Sequence, residues 1–454
     1  MDATVQHTKK HPPGLYLLFF TEMWERFSYY GMRGLLVLYL TTSYLSGGLG
    51  VKESTAMLLY GVFTGTVYFT PILGGYLTDR FLGRRFAITL GGIVMAAGNF
   101  VLFALHSQIG LYIGLSLLII GNGFFKPNIS TLVGELYGEN DKRKDSAFTI
   151  FYMGINLGAV FAPLVCGFLA EDFFKTTVDG VEKFGFKYGF LAACIGMIIG
   201  QIIFNVLGPR YLGDIGKEPT NKKVPTSTAA PKEPLSKKEK QRTAVILILT
   251  CFSVFFWAGF EQAGSSFTLY TQKFVDRSIF GWTMPISWFQ SINPLFIILF
   301  APVISLLSIK LASTKRGDFS APTKMGIALI LMGGGFIILL ASLAGTGTDP
   351  DHVVNKANIL FIIMTYFFHT IAELYLSPVG LSMVSTIAPV KLTSLLMGVW
   401  LAGSGIANYL AGGLAAFTST LGFVEVFMVI GGTAIVLGIL LLVASPKLQK
   451  MMNA

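Results

Sequence analysis

Seven ionisable side chains stand inside segments that are otherwise apolar and long enough to cross a membrane. Glu22, Glu25, Arg26 and Arg33 fall in TEMWERFSYYGMRG (21–34), between HPPGLYLLFF and LLVLYLTTSYL. Lys126 lies in GNGFFKPNIS, Glu261 in FFWAGFEQAGSSFTLY and Glu373 in HTIAELYLSPVGLS. A charge at the centre of a spanning helix costs about 2.5–3.5 kcal/mol on insertion scales, so such a set marks a functional site by default. Three cations stand against four carboxylates, and one proton neutralises the set. The expected chemistry is exchange of ion-pair partners coupled to a proton: protonation at Glu22, Glu25 or Glu261 would free Arg33 or Arg26. Such carboxylates titrate as a group. Catalysis finds no footing: of five histidines only His369 lies well within an apolar segment, and no H-E-x-x-H pair is present. The expectation is no enzyme, no metal and no cofactor, with the proton as the coupling ion. His369 reads as packing or a secondary polar contact, one turn before Glu373 and able to tune it.

Helical geometry gathers these groups. At 100° per residue, Glu22, Glu25, Arg26, Tyr29, Tyr30 and Arg33 share one stripe about 140° wide. Glu22 and Arg26, four apart, can pair on that stripe. Arg33 has no acidic neighbour on its own helix and needs a partner elsewhere, which Glu261 offers. Lys126 directly precedes Pro127, and Glu373 shortly precedes Pro378. Proline in a spanning helix frees a carbonyl and permits bending, so a cation and an anion beside hinges suggest a gate.

The elements that must position these residues follow from composition. The chain is 53% hydrophobic and only 13% charged, with 51 Gly. That combination belongs to a polytopic membrane protein in which small residues let helices approach closely. Apolar runs lie near 14–43, 56–77, 86–106, 110–136, 146–170 and 187–208, and again near 242–274, 286–312, 323–345, 357–387, 390–416 and 422–445. This predicts an all-α fold of twelve transmembrane helices: an N-terminal six-helix bundle (1–208), a polar, basic, flexible cytoplasmic linker (209–241) and a C-terminal six-helix bundle (242–454). The first run, long, charged and without a small-residue cleavage site, reads as a retained helix. Most of the 34 Lys and Arg fall in the N-terminal arm, the linker, the C-terminal tail, the loops DRFLGRR, ENDKRKD and KLASTKRGDFSAPTK, and at Lys391, which puts both termini in the cytoplasm. The net charge of +10 then reflects cytoplasmic loops attracted to anionic lipid and calls for no nucleic acid. Cys166, Cys194 and Cys251 all lie in apolar runs and are expected as buried thiols, too widely spaced for a disulfide framework or a zinc site.

An internal repeat relates the halves. FFKPNIS resembles YLSPVGLS, GINLGAVFAP resembles GSGIANYLAG, and Pro71 has a counterpart at Pro302. Two related six-helix halves resemble the major-facilitator carriers, in which the solute binds between halves that rock about it. GGYLTDRFLGRR resembles that superfamily's cytoplasmic loop motif, here Gly75, Asp79, Arg80, Gly83, Arg84 and Arg85, whose expected work is a latch of ion pairs and helix-end contacts.

EMWERFSYYGMRGLL carries the Glu-x-x-Glu-Arg-Phe-x-Tyr-Tyr-Gly signature of the proton-dependent oligopeptide transporters. FYMGINLGA, GNGFFKPNIS, FQSINPLF, AELYLSPVGLS and MGVWLAGSGIANYLAG also resemble conserved segments of that family, in both halves of the chain. The resemblance implies import of di- and tripeptides with protons by alternating access. It assigns Glu22, Glu25 and Arg26 to proton coupling, to which the charge census adds Glu261, and Arg26 and Lys126 to the peptide carboxylate. It gives Glu373 to the peptide amino group, Asn156 and Asn293 to polar contacts, and Tyr29, Tyr30, Tyr68, Trp257, Trp400 and Ser404 to the pocket. Arg33–Glu261 and Lys126–Glu373 would be salt bridges joining the halves on the outer side. A zwitterion suits this set: a cationic pair in one half and a carboxylate in the other would be drawn together by a ligand spanning them. Aromatic walls would tolerate varied side chains. Many bacterial relatives insert two further helices between the halves, whereas 209–241 is too polar and too short for a pair of spans. A carrier of another small solute and a peptide sensor without transport are the rival readings. A monomer in a bacterial plasma membrane is expected.

Overall fold

The computed structural model describes residues 10–138, 141, 143–219, 235–314, 317–347, 353 and 355–453. Parts of the expected linker and of the basic loops ENDKRKD and KLASTKRGDFSAPTK, and most of the N-terminal arm, lie outside them. The described chain is built from helices: α1 (Pro13–Thr41), α2 (Glu53–Leu77), α3 (Arg84–Ala104), α4 (Gln108–Glu135), α5 (Lys144–Phe168), α6 (Phe186–Leu212), α7 (Lys237–Phe260), α8 (Ser266–Phe274), α9 (Ile292–Ala312), α10 (Ala321–Leu343), α11 (Ile359–Ile387), α12 (Thr393–Ala416), α13 (Thr418–Leu421) and α14 (Phe423–Met452).

Local signals account for their ends. Pro13 opens α1 at the first helical position, where its missing N–H costs nothing. Ser107 caps α4 by accepting the Gly110 N–H at 3.0 Å. Ser236 and Glu239 form a reciprocal capping box on α7. Two helix ends widen into π-turns: after α2, Gly83 N–H reaches Thr78 O at 3.1 Å, and after α5, Phe174 N–H reaches Leu169 O at 3.2 Å. Such turns recur at functional sites. The apolar run expected as one segment near 242–274 is broken in two by a 3₁₀ turn at Glu261–Gly264. There the Gln262 amide donates to the Ala258 and Ala411 carbonyls, both at 3.1 Å, fixing the break.

Eleven helical stretches among the described residues are long and apolar enough to cross a membrane. α1 is also long, at 29 residues, but carries Glu22, Glu25, Arg26 and Arg33.

The chain forms two compact units. One comprises Met1–Met32, Thr70–Ala162 and Phe190–Thr226; the other comprises Arg33–Phe69, Pro163–Gly189 and Ser227–Ala454. The boundaries therefore fall inside α1, α2, α5 and α6.

In the first unit α3 and α4 meet along a seam of glycines. A Cβ on Gly121 would stand 2.6 Å from Gly91 O, and one on Gly98 would stand 2.8 Å from Gly114 O, so only glycine permits this approach. Leu18, Ile88, Met95, Phe125 and Ile129 fill its interior. Buried polar groups are tied across helices: Asn99 Nδ2 to Ser28 Oγ at 3.0 Å, and Asn128 Nδ2 to Thr78 Oγ1 at 3.0 Å. Each such bond removes the penalty of a bare polar group in an apolar interior.

In the second unit α10 and α14 repeat the glycine device, with Gly326 against Gly438 and Gly333 against Gly431. Phe267, Tyr270, Phe336 and Phe427 form an aromatic core of edge-to-face and tilted ring pairs. The N-terminal half of α2 touches α12 where a Cβ on Gly61 would lie 2.7 Å from Gly412 Cα. Three short strand pairs complete the unit. β1 (Thr176–Val178) pairs antiparallel with β2 (Val181–Lys183); β3 (Val275–Asp276) pairs parallel with β6 (Ala357–Asn358); and β4 (Ser278–Ile279) pairs antiparallel with β5 (Trp282–Thr283). Cys166 and Cys194 are buried as expected, whereas Cys251 is exposed on α7, a correction to the expectation of three buried thiols. An apolar run does not reveal which of its sides is covered.

Candidate functional site

The first cluster belongs to the first unit. Arg26 lies 2.9 Å from Glu22 and 2.5 Å from Glu25, and all three side chains are almost fully buried. Neither approach is aligned as a hydrogen bond, so these are charge contacts. Among the described residues Arg26 Nη2 and Glu22 Oε2 have no hydrogen-bond partner. Glu25 Oε1 accepts from Asn122 Nδ2 at 3.2 Å, which joins α4 to α1. Lys126, half-buried one turn further along α4, acts electrostatically on both carboxylates. Tyr29 and Tyr30 stand edge to face at 5.4 Å, and the Arg26 guanidinium lies 5.7 Å from the Tyr29 ring centre. Asn156 is buried, its amide donating to Tyr152 O at 3.0 Å. Two carboxylates on one guanidinium with a lysine nearby form a group that can hold a proton or an anion but leaves donors unsatisfied when it holds neither.

The second cluster belongs to the second unit. Arg33 Nη2 pairs with Glu261, and Arg33 Nε donates to Tyr60 Oη at 2.6 Å. Glu261 is buried and Arg33 nearly so. Glu373 Oε2 accepts from Asn293 Nδ2 at 2.9 Å, and the same amide reaches Thr370 Oγ1 at 3.1 Å, so α9 orients the carboxylate of α11. His369 Nε2 meets Met332 O at 3.1 Å among the rings of Phe260, Phe267 and Phe336. Trp400 is buried against Gly380. Trp257, Tyr68 and Ser404 are half-buried, and Ser404 O accepts the Asn408 amide at 2.9 Å. Of the two expected salt bridges, Arg33–Glu261 is formed; Lys126 lies in the first unit and Glu373 in the second.

The loop motif is assembled within the first unit. Arg84 bridges Asp79 at 3.1 Å and Glu135 at 2.6 Å. Arg80 donates to Tyr76 Oη at 2.6 Å, and Arg85 to Gly213 O at 2.8 Å. Gly83 holds φ +76° and packs so closely on Lys217 O that no side chain fits. Gly75 lies beside Pro127, whose ring a Cβ there would meet at 3.9 Å.

Four partners escaped the sequence reading. Asn122 was signalled by its place one turn before Lys126, and Thr370 by its place one turn before Glu373. Tyr60 carried no signal, being one aromatic among many. Glu171 is a further buried carboxylate, 8% exposed, that the census of seven left out because it stands near a helix end.

A family model described as the POT family matches residues 85–230 and 215–430. The uncharacterized transporter YclF of Bacillus subtilis is 34% identical, over 98% of this chain and 95% of its own. The peptide transporter YePEPT of Yersinia enterocolitica is 32% identical, over 88% and 87%. A di-/tripeptide transporter of Lactococcus lactis is 31% identical, over 97% of each. Among solved structures, a POT family transporter in complex with 5-aminolevulinic acid superimposes with TM-score 0.86 at 31% identity, over 97% of this chain and 98% of the other. Another, in complex with a thioalcohol-conjugated peptide, has TM-score 0.85 at 32% identity, over 97% and 98%. With matches running through both halves and spanning helices throughout, the chain belongs to the POT family and is a multi-pass membrane protein.

Proposed function

We propose that this protein is a proton-coupled symporter that imports di- and tripeptides by alternating access. The observation that carries the reading is the buried Glu22–Glu25–Arg26 cluster, two carboxylates on one guanidinium whose Nη2 is left with no acceptor among the described residues. An arginine so placed binds a peptide carboxylate when a proton occupies its own carboxylates, and returns to them when the proton leaves. Lys126 shares the peptide carboxylate, and Glu373, oriented by Asn293, receives the amino group. Tyr29, Tyr30, Tyr68, Asn156, Trp257, Trp400 and Ser404 line the remainder. Relatives described as peptide and di-/tripeptide transporters support the solute class. The architecture that goes with it is the major-facilitator fold: twelve spans including α1, bundles at 1–208 and 242–454 joined by a cytoplasmic linker at 209–241, both termini cytoplasmic, and a monomer in a bacterial plasma membrane. No cofactor takes part; the proton is the coupling ion.

The test is uptake of labelled dipeptide into proteoliposomes under an imposed proton gradient. Concentrative uptake is expected from the native protein. Glu22→Gln and Glu261→Gln should lose accumulation while keeping some counterflow exchange, and full concentrative uptake by both variants would refute the coupling scheme. A second reading has one specific support, the related structure that holds 5-aminolevulinic acid: the cargo would extend to other small zwitterions with an amino group and a carboxylate at peptide-like separation. Competition of that compound with dipeptide uptake decides it.

A further inference from the structure

Glu171 plays no part in the scheme above, yet it is the most heavily engaged carboxylate at its end of the protein. It sits in the π-turn Leu169–Phe173 that ends α5. Its Oε2 accepts the Ile286 N–H at 2.6 Å and its Oε1 accepts the Ser287 N–H at 3.0 Å. These amides open the 3₁₀ turn Ile286–Ser291 that leads into α9, where N–H groups lack intrahelical acceptors. Two further bonds join the same segments: Trp282 Nε1 to Asp172 Oδ2 at 2.9 Å and Trp288 Nε1 to Leu164 O at 3.0 Å. Residues 164–172, from the first half of the sequence, thus grip residues 282–288 from the second, all within the second unit.

The charges around Glu171 do not hold it in an ion pair. Among the described residues no cation lies within 4 Å of its carboxylate. Arg277 Nη1 donates to Met284 O at 2.6 Å while its Nε has no acceptor among the described residues, and burial holds its guanidinium below the usual arginine range, with Glu171 and Asp276 opposing that shift. Asp276 accepts the Ser278 N–H at 3.0 Å, and Lys175 pairs with Glu182 on β2. The two backbone amides, with the Ser287 hydroxyl beside them, are the donors that face the Glu171 carboxylate. Protonation of one oxygen leaves the other a full acceptor and turns the first into a donor with reduced acceptor capacity, so it weakens one of the two bonds.

We propose that Glu171 is a proton-operated clasp on the outer side of the carrier. Ionised, it holds the entrance of α9 to the end of α5. A proton taken from the outer aqueous phase onto one oxygen turns that oxygen toward donation, weakens its bond to one N–H and lets the clasp open. The inference rests on the alternating-access reading, because only a carrier whose outer side must open has use for a bond that releases when the outside is acid. It differs from the Arg33–Glu261 pair in needing no exchange of cationic partner.

The test reads the outer side directly. Val178→Cys and Phe280→Cys, both exposed, place spin labels on the β1–β2 and β4–β5 hairpins beside the two clasped segments for distance measurement by pulsed electron resonance in lipid. Native Glu171 should give a single short distance at pH 8 and a second, longer population at pH 5. Glu171→Gln, whose amide offers one acceptor and one NH₂, should show the long population already at pH 8. A Glu171→Gln distribution at pH 8 identical to that of the native protein would overturn the proposal. A second arm avoids that variant. A Cβ on Gly167 would stand 3.0 Å from Ser287 Cβ, somewhat closer than the roughly 3.5–4.5 Å of a relaxed disulfide, so Gly167→Cys/Ser287→Cys should form one once the two segments shift apart by about half an ångström. Oxidation should cut dipeptide uptake at least tenfold and reduction should restore it; undiminished uptake by the oxidised protein overturns the clasp. If the reduced protein takes up no dipeptide, the transport reading fails, while the distance measurement still decides the clasp.

Discussion

Arg33 and Glu261, 228 residues apart in sequence, form an ion pair that is completed by the Tyr60 hydroxyl on Arg33 Nε. A charge removed from water is held only if its hydrogen-bonding capacity is met, and here three side chains from α1, α2 and the break after α7 meet it together. Removing either charge alone should therefore cost more than removing both. Arg33→Met and Glu261→Met should each lower the unfolding temperature in detergent, and the double variant should recover part of the loss. The coupling energy should be on the order of 0.5–3 kcal/mol. Strict additivity would show that the pair contributes nothing.

Gly61 and Gly412 let α2 and α12 touch backbone to backbone. Gly61→Ala or Gly412→Ala forces the helices apart and should destabilise the protein by about 1–3 kcal/mol, as overpacking does. Gly413, whose Cβ would meet nothing within 4 Å, is the control: Gly413→Ala should leave the thermal unfolding curve in place.

Arg84 holds Asp79 and Glu135 at once, with its own side chain 12% exposed and its partners more open. Arg84→Ala should lower stability by about 1 kcal/mol, the partners' exposure keeping the figure small. Arg84→Lys should not restore it, since an ammonium lacks the planar fork that spans two carboxylates. Thermal unfolding of the three proteins side by side checks this.

Glu373 is the proposed seat of the peptide amino group. The native protein should prefer a free dipeptide over its N-acetylated form, and Glu373→Gln should bring that preference close to one. A charge-assisted hydrogen bond of about 1.5–3 kcal/mol corresponds to a loss of roughly 10–100-fold in the affinity ratio. Competition against labelled dipeptide measures it, and an unchanged ratio would remove Glu373 from that role.

Much of this site was legible in the sequence because charge inside an apolar span has few neutral explanations. Glu22, Glu25, Arg26 and Arg33 announced themselves by cost, and their common stripe followed from helical periodicity. Arg33's want of a partner on its own helix pointed across the chain to Glu261, which the structure pairs with it. Most helix boundaries agreed to within a few residues, but the capping box at Ser236 starts α7 five residues before the apolar run near 242–274. The break at Glu261–Gly264 was missed because the apolar run continues through it, and what stops the helix is the Gln262 amide finding a carbonyl on α12.

Residue chemistry by itself determined that the chain crosses the membrane repeatedly, which charges lie at depth, and which family its motifs resemble, since transfer cost and local periodicity are properties of short segments. Only tertiary structure decided the partners: Tyr60 for Arg33, Asn122 for Glu25, Asn293 for Glu373, and two backbone amides for Glu171. Those bonds join groups tens to hundreds of positions apart. A carboxylate's environment is set by whichever donors the fold carries to it, and no spacing in the chain records them.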